Sequence, residues 1–466
     1  MIVTSRIKTR ILSLAFNGLL VDYSNKSKQN TILDRIHNEQ KAYNPVMDDE
    51  RLVSVPSYWN WSRLAYLTYN HGQTIPIDDF CYIDVGTLDN VHHRLAAKEN
   101  HVTAKEAPSR ARKNIEFEDV LYSTVRPYLH NICIVDKEFS KTPIASTAFC
   151  VMHARKEVLL YKFLFYWLLT SEFDKYSNGD PSKGALYPAI GEKDLLNGVI
   201  PVPSIEEQVL IVERIDAAFS ALDTIDALQS QYQDNLATLK SKIIDAGIQG
   251  KLTEQLPEDG TAEELYQQIQ QEKLALEQSG KIKKSKPLPP VSDEEKLFDI
   301  PNNWKWVRIG EIGVTTTGGT PSKSHEEYYG GNYPFFKPSD LDAGNHIIKA
   351  SEYLTESGKE TSRQLPKGSI LVCCIGSIGK CAIIDVNGTA NQQINALSPI
   401  LCDSDYLLYA IDNDSFRNQL NQGSRATTVS IINKTKFDYC TIPLPPLAEQ
   451  KRIVAKLEEL LPLCEK

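Results

Sequence analysis

The apolar positions of this chain follow two different periods. Between 204 and about 248 they fall three or four apart: Val212, Ile215, Phe219, Leu222, Ile225, Leu228, Tyr232, Leu236, Leu239 and Ile243. That spacing predicts one long amphipathic helix. Ser204 ahead of Glu206-Glu207 supplies an N-cap with acid in the first turn, and Gly247 and Gly250 supply the stop. About 44 residues at ~1.5 Å each make a rod of roughly 65 Å with an apolar seam that needs a partner. A second helix is predicted near 261–278. Elsewhere the apolar runs are short and β-branched, at 119–125, 132–135, 369–375 and 381–385, and read as strands, with helices at 159–170 and 406–420. Mixed α/β domains follow.

The pattern also repeats. Ile200-Pro-Val-Pro-Ser-Ile-Glu-Glu-Gln208 recurs as Ile442-Pro-Leu-Pro-Pro-Leu-Ala-Glu-Gln450, and Val55-Pro-Ser-Tyr-Trp-Asn-Trp61 recurs as Ile300-Pro-Asn-Asn-Trp-Lys-Trp306. Ile7-Lys-Thr-Arg-Ile-Leu resembles Leu239-Lys-Ser-Lys-Ile-Ile. Three matches in one order indicate a tandem duplication. Its frame is circular. The middle holds one complete helical connector, the C-terminus only its first part and the N-terminus only its later part. This places an N-terminal helical half-connector at 1–48 and a first domain at 49–203. The central connector and linker occupy 204–291, the second domain 292–445, and a C-terminal half-connector 446–466. Antiparallel pairing of the central and split connectors, about a pseudo-twofold axis, is the expected arrangement.

Composition refines this picture. The 466 residues carry 51 Lys+Arg against 60 Asp+Glu, a net charge of −9, which at first argues against a nucleic-acid partner. The acidity is local, however. Residues 204–298 hold 10 Lys+Arg and 18 Asp+Glu, whereas 94–113 hold six basic residues against Glu99 and Glu106. The connector therefore holds nearly all of the net acidity. The basic, proline-rich run Lys281-Ile-Lys-Lys-Ser-Lys286 reads as an extended spacer. No apolar run approaches the ~18 residues of a membrane span, and residues 1–10 lack the basic-then-apolar build of a secretory signal. Nine cysteines without a C-x-x-C pair read as reduced cytosolic thiols, so a cytoplasmic location is expected. No His/Cys cluster at zinc spacing is visible, so no metal site is expected. Gly376-Ser-Ile-Gly379-Lys380 falls short of a phosphate-binding loop, and hydrolase, dinucleotide and amino-methyltransferase motifs are missing. The chain is not expected to be an enzyme.

These motifs carry a family resemblance. Thr320-Pro-Ser-Lys-Ser-His-Glu-Glu-Tyr-Tyr through Phe336-Lys-Pro-Ser-Asp340, the paired [IV]-P-x-x-W-x-W and I-P-x-P-x-x-x-E-Q motifs and the circular repeat resemble the specificity (S) subunit of type I restriction-modification systems. The resemblance implies an α+β fold of two target-recognition domains joined by long antiparallel, coiled-coil connectors. It implies a non-catalytic role in binding a bipartite double-stranded DNA target. The implied partners are two methyltransferase subunits and motor-nuclease subunits, which would hold S-adenosylmethionine, ATP and Mg2+, with no cofactor in this chain. Many members begin near the [IV]-P-x-x-W-x-W motif, so the N-terminal helical extension is a departure.

Candidate DNA contacts follow from the family-like and basic loops. They are Arg110, Arg112, Lys113, Arg126, Lys183 and Tyr187 in the first domain, and Thr320, Ser322, Lys323, Lys337, Ser424, Arg425 and Thr427 in the second. Arg commonly reads guanine, while Lys or Ser holds phosphate. Gln392-Gln393 suits adenine. Trp59, Trp61, Trp304 and Trp306 are expected in the core. Other readings remain open: the specificity chain of a type IIB-like or methylation-only system, or a two-headed scaffold for protein or glycan.

Overall fold

The computed structural model describes residues 2–22, 31–39, 44–178, 189–422 and 431–465. The chain divides into two compact units, Met1–Ser230 and Gln231–Lys466, with the division inside one helix, Ile205–Ile248. That helix is the one the 3.6-residue spacing predicts, and the second, Ala262–Gln278, also stands where expected. Ser204 caps the long helix by accepting from the Glu207 N–H at 3.3 Å. Gly247 does not end it but lies inside it, where a Cβ would come within 3.3–3.4 Å of Ile453 and Leu457. The stop is Gly250 at φ +72°, after which the Lys251 N–H reaches back to the Ala246 carbonyl.

Unit 1 contains two four-stranded sheets. One orders its strands as His101–Val102, Phe80–Ile83, Pro143–Ser146 and Ala111–Asn114, with a parallel pair at its centre. The other is antiparallel, in the order Thr68–Tyr69, Phe149–Ala154, Val120–Ser123 and Ile132–Ile134. Unit 2 has a five-stranded sheet in the order Gly313–Thr317, Ile394–Pro399, Ile370–Cys373, Cys381–Ile384 and His346–Ile347. It adds a three-stranded sheet of Glu352–Leu354, Tyr329–Phe336 and Thr389–Ala390. The helix expected over 406–420 is two, Ser404–Ile411 and Asp414–Gln422. Asn413 divides them: its amide donates to the Ala410 carbonyl and its side-chain oxygen accepts from the Phe416 N–H.

Beside these sheets each unit carries a separate two-stranded ribbon built from the repeated motifs. In unit 1 Asn60–Arg63 pairs antiparallel with Val199–Val202, and in unit 2 Lys305–Arg308 pairs with Thr441–Leu444. Each ribbon ends on an almost fully buried arginine. The Arg63 guanidinium donates to the carbonyls of Asn44, Pro45 and Asn197 and pairs with Glu50 at 2.8 Å. Arg308 does the same with Pro289, Pro290, Tyr439 and Glu295, also at 2.8 Å.

The Glu-Gln pair of the second motif locks each ribbon to the following helix. The Trp59 indole donates to Glu207 at 3.2 Å and the Trp304 indole to Glu449 at 2.8 Å. Gln208 bonds the backbone of Leu160, Val158 and Pro203, and Gln450 that of Asp403 and Pro445. All four tryptophans expected in the core are buried.

Two helices run antiparallel within each unit. In unit 1, Thr4–Phe16 lies along the first part of the long helix: Lys8 pairs with Asp223 at 2.6 Å, Thr4 bonds Asp226, and the Ile2 N–H bonds Gln229. In unit 2, Leu447–Leu460 packs on its last part at Gly247, and Lys240 pairs with Glu465 at 3.3 Å. The stretch between these contacts is largely exposed, with Leu228 at 59%, Tyr232 at 53% and Leu239 at 48%. Among the described residues no helix is long and apolar enough to cross a membrane.

Candidate nucleic-acid interface

The basic stretch of unit 1 is open to solvent. Arg94, Lys98, Lys105 and Arg110 are all exposed. Arg110 sits at the tip of a turn closed by the Ala111 N–H on the Pro108 carbonyl, and its own carbonyl accepts from the Thr147 N–H. Arg110 has no ion pair among the described residues. One acid in this stretch is held away from it: Ser140 and His101 hydrogen-bond Glu99 and hold its carboxyl down at about 2.

Strand period decides the next two candidates. In Ala111–Asn114 alternate residues turn inward, so Arg112 is half-buried while Lys113 is 5% exposed. The Lys113 ammonium is held by Glu192 at 2.7 Å. Lys113 therefore braces the interior of the unit, and a phosphate contact would first have to break that pair. Arg126 stands at φ +51°, opening the short turn Pro127–Leu129, and is partly buried. Lys183 and Tyr187 lie outside the described residues.

In unit 2 the family-like loop leaves the strand Gly313–Thr317 over two glycines. Gly318 passes so close to the Asn391 carbonyl that a Cβ would stand 2.1 Å from it, and its N–H donates to the Ile394 carbonyl. Only glycine permits that approach. It brings the Thr320 hydroxyl onto the Gln392 side chain, which joins two sequence-selected candidates 72 residues apart. Ser322 bonds Ser324 at 2.7 Å, and Lys323 projects free of any ion pair among the described residues. Lys337 is half-buried and paired with Glu352 at 2.9 Å. Ser424, Arg425 and Thr427 lie outside the described residues.

Sequence reasoning missed Arg363, an exposed cation whose guanidinium donates to the Thr317 carbonyl at 2.6 Å, at the root of the same loop. Its neighbours are an unpatterned polar loop, so no spacing singled it out. Unit 2 thus brings Thr320, Gln392 and Arg363 to one loop root, with Lys323 exposed further along the same loop. The set offers hydroxyl, ammonium, amide and guanidinium donors, the chemistry that binds phosphates and base edges.

The comparisons with known proteins agree with this chemistry. Residues 301–464 match the family described as the type I restriction modification DNA specificity domain. Over 99% of its length the chain is 23% identical to the type I restriction enzyme EcoAI specificity subunit of Escherichia coli, covering 89% of that protein. A solved structure described as the structural basis of complex assembly and conformational transition of the type I R-M system is 25% identical. It aligns with a TM-score of 0.63 over 88% of this chain and 92% of its own. The HsdS subunit from Thermoanaerobacter tengcongensis, also 25% identical, aligns at 0.51 over 88% and 91%.

Proposed function

We propose, for a chain that belongs with the specificity subunits of type I restriction-modification systems, that each unit reads one half of a bipartite double-stranded DNA target. The observation that carries this is the contrast inside each unit. The ribbon, the buried arginine and the Trp–Glu lock recur bond for bond, while the loops differ and bear exposed cations. A repeated mount with a changed reading surface suits two half-sites of different sequence.

In this reading the target-recognition domains span 49–203 and 292–445, and the segments 1–48, 204–291 and 446–466 form the connectors. The connectors make an antiparallel coiled coil in a circular pseudo-twofold repeat, and the two helix pairs within the units support it. The exposed apolar residues Leu228, Tyr232 and Leu239 suit docking of two methyltransferase subunits. Adenine methylation with S-adenosylmethionine, and ATP- and Mg2+-dependent motor and nuclease work, belong to partner subunits in the cytoplasm. This chain supplies recognition.

The test is a footprint of the chain, assembled with its methyltransferase partner, on DNA carrying the motif found by methylome sequencing of a host with and without the gene. Two protected blocks with a fixed gap are expected; absence of protection at that motif overturns the reading. Binding falls steeply with salt, because phosphate contacts release counterions. Salt-insensitive binding to protein or glycan would support the scaffold instead. Inserting one helical turn between Thr224 and Gln233 shifts the preferred gap, and an unchanged gap contradicts the ruler role.

A further inference from the structure

Three strands of unit 1 bring together side chains that sequence spacing kept apart. His71 follows the edge strand Thr68–Tyr69, Asp119 immediately precedes Val120–Ser123, and His153 lies near the end of Phe149–Ala154. One Asp119 carboxylate oxygen, Oδ1, faces His71 Nε2 at 3.1 Å and His153 Nδ1 at 2.8 Å. All three donor atoms lie within 4.8 Å of one another. The Asp119 side chain is fully buried, and those of His153 and His71 are 10% and 13% exposed. The Tyr69 ring lies against both imidazoles, at 5.6 Å and 4.9 Å between centroids.

The outer side of His71 completes the picture. Its second nitrogen, Nδ1, faces the Glu116 carboxylate at 3.4 Å. Metal-bound histidines characteristically donate their far N–H to a carboxylate, which fixes the tautomer and raises ligand basicity. The second oxygen of Asp119, Oδ2, is oriented by the Glu116 backbone N–H at 2.7 Å. Two neutral imidazoles, the Asp119 carboxylate and the outer Glu116 carboxylate balance a divalent charge.

Unit 2 provides an internal comparison. Ladder register places Ser369 and Ser398 where unit 1 has Asp119 and His153, since Leu397 opposes Ile370 as Met152 opposes Val120. The two serine hydroxyls share a plain hydrogen bond of 2.8 Å, and Thr316 takes the place of His71. The equivalent positions in unit 2 thus carry hydroxyl side chains only. Unit 1 replaces all three with metal-ligating types.

We propose that His71, Asp119 and His153 bind one transition-metal ion of the Zn2+ class as a structural pin between these three strands, with Glu116 orienting His71. Imidazole nitrogens select zinc or its neighbours over calcium or magnesium. Zn2+ holds N and O donors at about 2.0–2.2 Å, so a tetrahedral edge is about 3.3 Å. The Asp119–histidine separations of 3.1 and 2.8 Å lie within about 0.5 Å of that edge, and a water would supply the fourth ligand.

The test uses the full-length chain after chelator treatment and dialysis. Titration of Zn2+ against a chromophoric competitor should reveal one tight equivalent in the native chain and none in H71Q/H153Q, with E116Q binding about 10–100-fold more weakly. Zinc should raise the melting temperature of the native chain and leave that of the double variant unchanged. Absence of a tight equivalent, or one of equal affinity in H71Q/H153Q, overturns the proposal and leaves a hydrogen-bonded triad. Should the double variant not fold, Co2+ decides on the native chain. Visible absorption of a tetrahedral site, quenched by one equivalent of Zn2+, supports the pin, and its absence overturns it.

Discussion

Unit 1 and unit 2 agree in the ribbon and its buried arginine and differ in the sheets and loops beside it. Arg63 and Arg308 make the same three kinds of carbonyl contact and the same carboxylate pair, although the chain between the two ribbon strands differs almost throughout. The sheets beside the ribbons differ even in strand number and order. A buried guanidinium tolerates little change, because each lost partner leaves an unsatisfied polar group. A loop in water has no such constraint. The shared part therefore reports what holds a module in place, and the divergent part what each module does.

The most severe way to break this equivalence is to remove the arginines. Arg63→Ala and Arg308→Ala should each destabilise their own unit by about 3–5 kcal/mol, measured by urea denaturation. A small loss in one unit alone would show that the mounts are not equivalent. Next come the helix-ending glycines. A Cβ at Gly18 or Gly250 would stand 2.4 Å from the ring of Pro56 or Pro301, with the backbone at φ +68° or +72°. The left-handed conformation alone costs about 1–2 kcal/mol for Ala, and the clash adds to it. Gly18→Ala and Gly250→Ala should therefore each lower the unfolding midpoint clearly and by similar amounts.

Substitutions in the loops should separate the units rather than unite them. On the proposed reading, Arg110→Ala should weaken binding at one half-site only, by about 1–3 kcal/mol where the guanidinium reads a base. Lys323→Ala should weaken binding across sequences and reduce the salt slope by about 1. Binding of substituted duplexes at several salt concentrations checks both. Neither change should alter the unfolding midpoint.

The smallest expected effect is the pH dependence that His346 contributes in unit 2. Burial disfavours the charged form of His346, but hydrogen bonds and charge from Asp405 and Asp385 outweigh it and raise its pKa above the ordinary 6.5. The folded state thus holds this proton more tightly than the unfolded chain. The added stability is present below about pH 6.5 and fades as pH rises through the higher folded-state value. The imidazole is nearly half exposed, so the effect should stay below about 1 kcal/mol. Comparing denaturation of the native chain and H346Q at pH 5.5 and 8.5 should isolate it.

The same contrast explains what the sequence revealed. The long helix was legible because its apolar spacing runs for dozens of residues between a serine cap and a glycine stop. The buried tryptophans were legible because their motif recurs. The break at Asn413 was not, since one polar residue in a helical pattern does not disclose that its side chain bonds the backbone on both sides. The basic neighbours of Lys113 suggest a DNA contact, but its partner Glu192 is 79 residues away and its inward direction follows from strand alternation. The Thr320–Gln392 contact and the His71–Asp119–His153 cluster depend on strand order, which no local spacing encodes. The repeated arginines stood in plain sight beside the tryptophans, and only their buried partners disclose their role.

The division of the chain inside its longest helix bears on how the protein is made. The N-terminal helix of unit 1 cannot find its partners Asp223, Asp226 and Gln229 until more than two hundred further residues have been synthesised. Once residue 230 has emerged, every contact described for that unit is available. At roughly 5–20 residues per second, the ribosome then needs on the order of 10–50 s to complete the rest. Unit 1 can therefore fold before its near-duplicate exists, and two chains with interchangeable mounts avoid exchanging them during synthesis.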